Sequence, residues 1–294
     1  MTDAWAMTAS ASAAAGGVMP RSRDLAALPL ARRLAWQDYA ELALKGHLGR
    51  LLDYGCGNGE FLSRVSDRCD ECQGVDVDAA ALPADGAVGN ATCRHVPAGG
   101  KLPFPDDYFD TVTILEVIEH VASERRVLDE LTRVLKPGGR LLLTTPHRGL
   151  LTWLDPANAK FVAPRLHRFV LCTILRRGQY YEGRFGAARR AEAGMIGDFT
   201  TDQAPWHRHY RYGHIRRLAP DTLETVDWAV YYPAMRALWM LAIGAGIVSR
   251  GRFMDIPPPA SWLAYRLSRT RSLLGDQLVV LFRKLGASRA PERR

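Results

Sequence analysis

Apolar residues recur at helical spacing through residues 27–48, where Leu30, Leu34, Ala35, Tyr39 and Leu42 share one face. This predicts a helix lying beside the core that follows. From residue 50 the pattern becomes one of short apolar runs alternating with amphipathic stretches. Gly49–Tyr54 (GRLLDY) reads as a strand, and a glycine-rich turn follows it. Glu60–Cys69, with Phe61, Leu62 and Val65 on one side, reads as a helix. Gln73–Val77 and Ala91–Val96 read as the second and third strands, the latter the weaker. Thr111–Leu115 is a fourth, followed by a helix over Ser123–Leu135. Pro137-Gly138-Gly139 stops that helix, and Arg140–Thr145 is a fifth strand. Short apolar strands separated by helices imply an α/β fold with a mostly parallel sheet buried on both faces.

The second half is less regular. Residues 147–215 are rich in Arg, His, Trp and Tyr. Thr222–Tyr232 and Asp276–Arg283 (DQLVVLFR) read as the sixth and last strands. Between them lies Trp228–Ser249, apolar apart from Arg236 and interrupted by Pro233. The Arg and Pro argue against a span, so a buried or interfacial segment is expected.

Composition narrows the classes. The chain has 294 residues, 47% hydrophobic and 24% charged, enough for a full core without disulfides or metals. Disorder, collagen and a small disulfide scaffold are excluded. Five scattered cysteines suit a reducing, cytoplasmic setting. Residues 1–24 lack the basic start and apolar run of a signal peptide and read as a disordered tail; 287–294 read as a basic tail. The net charge of +8 is divided unevenly, −4 over residues 1–150 and +12 over 151–294. The second half therefore suits an anionic partner, such as a membrane surface, a phosphorylated substrate or nucleic acid. An Arg-rich, GC-biased genome accounts for the same excess, since Arg outnumbers Lys 34 to 5.

The strongest chemical signal is Asp53-Tyr54-Gly55-Cys56-Gly57-Asn58-Gly59, between a strand and a helix. Its G-x-G-x-G spacing differs from the dinucleotide fingerprint G-x-G-x-x-G, and no Lys follows it as in a Walker A loop. A carboxylate at the base of the loop suits a cationic or amine-bearing ligand better than a pyrophosphate. A second carboxylate, Asp76, stands at the end of the second strand, where α/β nucleotide-binding folds place the group that grips ribose hydroxyls. Asp78 is close enough to compete. Either aspartate alone could simply cap a turn; together, in this strand context, they mark a site.

LLDYGCGNGEFL, GVDVD, LPFPDDYFDTVTILEVIEHV and RVLKPGGRLLLTTP, in this order, resemble the class I S-adenosylmethionine-dependent methyltransferases. The resemblance is to the small-molecule group that includes the ubiquinone and menaquinone methyltransferases. It covers roughly residues 48–146, with a weaker echo at 276–284. It implies a Rossmann-like seven-stranded sheet, the last strand antiparallel, within one domain over 25–286. Residues 49–146 would be the cofactor core and 147–275 the substrate lid and apolar insertion. It also implies that S-adenosylmethionine is the cofactor. Gly55, Gly57 and Gly59, with Cys56 and Asn58 between them, would line its methionine part. Asp53 would support the loop or the cofactor's amino group. Asp76 would bind the ribose, Val77 flank the adenine, and Leu115 and Glu116 border cofactor and acceptor. One departure stands out: the family usually carries an Asp about five residues before the LPFP-like segment, facing the adenine amino group, where this chain has Ala98-Gly99-Gly100.

Methyl transfer to oxygen needs a base, and His is the usual one near neutral pH. His120 and His147 each follow a strand at the productive edge of the sheet and are the expected catalytic residues; His209 lies in an aromatic, basic cluster. Glu116, Glu119 and His120 form an E-x-x-E-H segment that is associated with a divalent metal in ubiquinone O-methyltransferases but is widespread without one, so no metal is expected. Cys69-x-x-Cys72 has no second pair to complete a zinc site. The stretches 165–190 and 206–214 are expected to cover the acceptor. The expected acceptor is a small or lipid-like molecule, met at a membrane surface through Trp228–Ser249; a homodimer is compatible with the same segment. The competing class, a nucleic-acid methyltransferase using the basic half, would commonly carry D/N-P-P-Y/F after the fourth strand, where this chain reads Leu115-Glu116-Val117-Ile118. A non-catalytic cofactor-binding scaffold is disfavoured by the intact glycine loop and Asp76.

Overall fold

The computed structural model describes residues 36–149, 163–185, 208–232 and 270–286, with Thr152 and isolated positions between 241 and 267. The expected terminal tails and helical residues 27–35 lie outside the described residues.

One eight-stranded sheet organises the chain, in the order β3-β4-β2-β1-β5-β6-β8-β7. Its strands are β1 (Gly49–Tyr54), β2 (Cys69–Asp76), β3 (Ala87–Val88), β4 (Ala91–His95), β5 (Phe109–Leu115), β6 (Leu135–Pro146), β7 (Leu223–Tyr231) and β8 (Gln277–Lys284). The five strands β4, β2, β1, β5 and β6 pair in parallel. β8 runs antiparallel to both β6 and β7. The seven expected strands are all present. The eighth, β3, is a two-residue antiparallel edge on β4 that sequence pattern did not reveal. β6 begins at Leu135, earlier than expected, because Leu135 already pairs with Phe109; the chain then bulges through Pro137–Gly139, with Gly138 at φ 80°, and pairing resumes at Arg140.

The helices are α1 (Trp36–Ala43), α2 (Glu60–Val65), α3 (Glu124–Val134), α4 (Pro164–Phe169), α5 (Gly178–Phe185) and α6 (Tyr212–Leu218). α2 is shorter than expected and passes into a 3-10 turn at Ser66–Arg68. Alternation along each central strand feeds two cores. On β6, Leu141 and Leu143 join the layer under α3 and α6, whereas Leu142 joins the layer under α1 and α2. On β8, Leu278, Val280 and Phe282 face the first layer, and Val279 and Leu281 the second. A period of two with apolar residues at both phases is the mark of a sheet covered on both sides.

The apolar segment Trp228–Ser249 does not begin as an insertion. Trp228–Tyr231 complete β7, with Tyr231 fully buried and stacked on Tyr39 at 4.2 Å and Trp228 stacked on Tyr212 at 4.7 Å. Tyr232, at φ 61°, packs edge-on against Tyr39. Trp228, Tyr231 and Tyr232 are thus sheet or core residues; Trp239, the next aromatic that could offer a membrane contact, lies outside the described residues. Among the described residues, no helix is long and apolar enough to cross a membrane.

Candidate functional site

The strand order reverses at β1: the chain moves outward through β2 and β4, then returns to place β5 on β1's other side. Ligands of open α/β sheets bind at such a switch point, beyond the strand C-termini. A cavity of about 530 Å³ opens there.

The glycine loop forms its floor. Leaving β1, the N–H groups of Gly55 and Cys56 both donate to the Val75 carbonyl, at 2.7 and 3.1 Å, so the loop folds tightly over β2. Gly55 has φ 81°, and a Cβ there would sit 2.2 Å from Val117 Cγ2. Gly57, at φ 50°, faces open space, so a ligand can approach its backbone directly. Cys56 and Asn58 line the cavity with these two glycines. Gly59 serves differently: it lies off the cavity and lets the start of α2 close on Val88, whose Cγ1 is 2.4 Å from the position of a Cβ.

Two carboxylates support the loop. Asp53 is buried at the end of β1 and lines the cavity floor. Its Oδ1 accepts the Thr113 hydroxyl at 2.6 Å. Burial raises its pKa to about 7, the negative charge of Asp76 adding to the effect and the Thr113 hydrogen bond opposing it. Asp76, at the tip of β2, accepts the Gly57 N–H on Oδ2 and the Asp78 N–H on Oδ1, each at 2.8 Å. Each carboxylate oxygen has two lone pairs, so Asp76 is fixed in orientation and retains acceptor capacity toward the cavity. Asp78 also lines the cavity, with Oδ1 taking the Ala80 N–H at 3.0 Å. Val77, Leu115 and Glu116 complete the set expected at the cavity.

Glu116 ends β5 in a left-handed conformation, φ 58°. Its N–H donates to the Thr144 carbonyl at 3.1 Å, and its Oε1 accepts the Thr144 hydroxyl at 2.7 Å and the amide of Gln277. Three strands thus fix this carboxylate, an arrangement with no local sequence signal. Glu119 is buried and accepts the Thr145 hydroxyl at 2.9 Å. Glu116 and Glu119 are engaged with different residues, and among the described residues no group of three or more His, Cys, Asp or Glu side chains could hold a metal ion. All five cysteines are free thiols; burial pushes those of Cys56 and Cys93 up, and Cys72 is buried within β2.

The two expected catalytic histidines separate. His120 lines the cavity, its Nε2 lying 3.8 Å from Glu119 Oε1. His147 does not line it: its ring Nδ1 lies 2.8 Å from the Gly275 carbonyl, and its N–H donates to the Asp276 carbonyl at 2.7 Å. The turn before β8 packs over His147, so it stands apart from this cavity. Of the 206–214 cluster, Arg208 binds the Glu124 carboxylate and donates to the Val121 carbonyl at 2.7 Å, and Tyr210 donates to Glu124 Oε1 at 2.8 Å. This cluster fastens the segment from Val121 to Glu124, which forms the rim beside His120.

Residues 52–143 match the family model of the methyltransferase domain. This likeness is confined to that part of the chain, which carries the glycine loop and Asp76. The chain is 35% identical over 130 residues to the ubiquinone/menaquinone biosynthesis C-methyltransferase UbiE of Vibrio campbellii, covering 40% of this chain and 48% of that one. It is 31% identical over 140 residues to the ubiquinone biosynthesis O-methyltransferase of Psychrobacter cryohalolentis, covering 45% and 54%. The chain spans about half the length of the curated relatives it matches. Among solved structures it is similar to an S-adenosylmethionine-dependent methyltransferase from Mesorhizobium loti, at 17% identity and a TM-score of 0.47 over 85% of this chain and 98% of that one.

Proposed function

We propose that this chain transfers a methyl group from S-adenosylmethionine to a small or lipid-like acceptor of the kind handled in quinone biosynthesis. The observation that carries this is the pairing of Asp53 and Asp76 around an open Gly57 at the switch point. The residues present fit the cofactor. Asp76 offers fixed acceptors to vicinal ribose hydroxyls, Asp53 offers a carboxylate to an ammonium, and Gly57 leaves backbone room between them. When bound, S-adenosylmethionine supplies an electrophilic methyl group on a sulfonium. The chain's part is to align the acceptor and manage its proton. His120, on the rim, is the base that takes a proton from an acceptor hydroxyl or activated carbon. Glu119, buried beside it, lies 3.8 Å from its Nε2. Glu116, held by Thr144 and Gln277, borders the acceptor end. Incubation with methyl-labelled cofactor and separate lipid, metabolite and RNA fractions tests the reading. Label in lipid or metabolite supports it, and label in RNA alone refutes it.

Peripheral membrane contact belongs to the same proposal, with a different element. Leu166 and Phe169 on α4 are 60% and 53% exposed, and Arg165 and Arg168 alternate with them. An apolar face edged by Arg suits an anionic bilayer. Flotation with vesicles containing anionic lipid should carry the protein upward at low salt, and Leu166→Ser with Phe169→Ser should abolish this. Flotation unchanged in the double variant removes α4 from the contact.

A further inference from the structure

The cofactor site closes differently at its two ends. At the loop end, carboxylates meet the ligand. At the other, the ribose partner Asp76 places the base beyond the tips of β2 and β4. There Val77 and Val96 form two apolar walls, Val96 being anchored by its N–H to the Asp76 carbonyl at 2.9 Å. The chain then continues into Ala98 and Gly99, which also line the cavity. Neither has a side chain that can accept a hydrogen bond. Asp78, the acid on that side, is turned to the Ala80 N–H.

Gly99 also borders a second cavity of about 500 Å³, which shares Tyr54, Gly99, Arg126 and Val127 with the first. A Cβ on Gly99 would have nothing within 4 Å. Arg126, the other shared wall on this side, is exposed and donates a long hydrogen bond of 3.4 Å to the Gly99 carbonyl. On the Gly99 side, the partition between the cavities is therefore a bare backbone and the end of a flexible side chain; Tyr54 and Val127 form the rest of it.

We propose that this chain meets the 6-amino edge of the cofactor's base with the Ala98-Gly99 backbone rather than with a side-chain acceptor, and that a substituent on the adenine 6-amino group passes beside Gly99 into the second cavity. The inference rests on the cofactor reading above and goes beyond it. A site built to hydrogen-bond a donor rejects analogues that lack it, because its own polar group is left unpaired. Ala98 and Gly99 have no side-chain acceptor to leave unpaired when the amino group is alkylated, so alkylation carries little penalty at this wall. Ala98 and Gly99 are then the residues that set selectivity for the base.

Calorimetric titration of the full chain with S-adenosylhomocysteine, its N6-benzyl derivative and its N6,N6-dimethyl derivative tests this. Both derivatives should bind within about fivefold of the parent. Weaker binding than that, with the parent still bound, overturns the proposal and leaves the cofactor reading standing. No binding of the parent overturns both. Ala98→Asp installs the missing acceptor and should raise preference for the parent over the dimethyl derivative by about fivefold or more. A smaller change contradicts the assignment of Ala98.

Discussion

Replacing Asp53 by Asn should make the stability difference between variant and wild type depend on pH. Asn keeps an oxygen for the Thr113 hydroxyl and cannot ionise. The wild-type carboxyl ionises near 3.8 in the unfolded chain and near 7 in the folded one. Between these values the folded state holds a proton that the unfolded state has lost, so wild-type stability falls as pH rises and levels off above about 7. The full effect is about 4 kcal/mol, and the part falling between pH 5 and pH 8 is about 3 kcal/mol. Urea unfolding of both proteins at pH 5 and pH 8 reads it directly: the variant should gain on the wild type by roughly that amount. Contributions from other groups cancel in the comparison. A cationic ligand ammonium at Asp53 draws the carboxyl back toward ionisation, so binding below pH 7 should release a proton. Calorimetry in two buffers of different ionisation enthalpy measures that release. A stability difference that stays constant from pH 5 to pH 8 refutes the account of Asp53 as a buried carboxyl held protonated by its surroundings.

His120→Ala should lower kcat by about 10²-fold with S-adenosylhomocysteine affinity retained, whereas His147→Ala should lower the melting temperature more than it lowers turnover; the reverse pattern would exchange their roles. Arg208→Ala removes the tie from Glu124 and the Val121 carbonyl to the rim, and should raise KM for the acceptor more than it lowers thermal stability, as steady-state kinetics beside a melting curve would show.

The site was legible where it depends on local chain geometry. Asp53, the glycine loop and Asp76 lie within one strand-turn-helix-strand unit, so spacing alone revealed them. Glu116 was found by position, but its fixing by Thr144 and Gln277 joins residues 28 and 161 positions away, and no pattern shows that. The surroundings of His147 are as remote in sequence: the Gly275 carbonyl beside its ring is 128 residues distant. The sheet was readable because its strands are apolar at both phases. The overlap of Trp228–Ser249 with the expected sixth strand has a local cause. The last residues of β7 are as apolar as the stretch beyond, and the break comes at Tyr232, where φ becomes positive just before Pro233. Hydropathy is continuous across that point although the backbone is not. β3 escaped notice because two residues cannot show a period.

The central claim is that the cavity between the glycine loop and Asp76 is the S-adenosylmethionine site, and calorimetric titration of S-adenosylhomocysteine into wild type and Asp76→Ala tests it most directly. Wild type should bind one equivalent, and the variant, shown to be folded by its melting curve, should bind about 10- to 100-fold more weakly, as loss of charged hydrogen bonds worth about 1.5–3 kcal/mol requires. No saturable binding by wild type, or equal affinity in the two proteins, would contradict it.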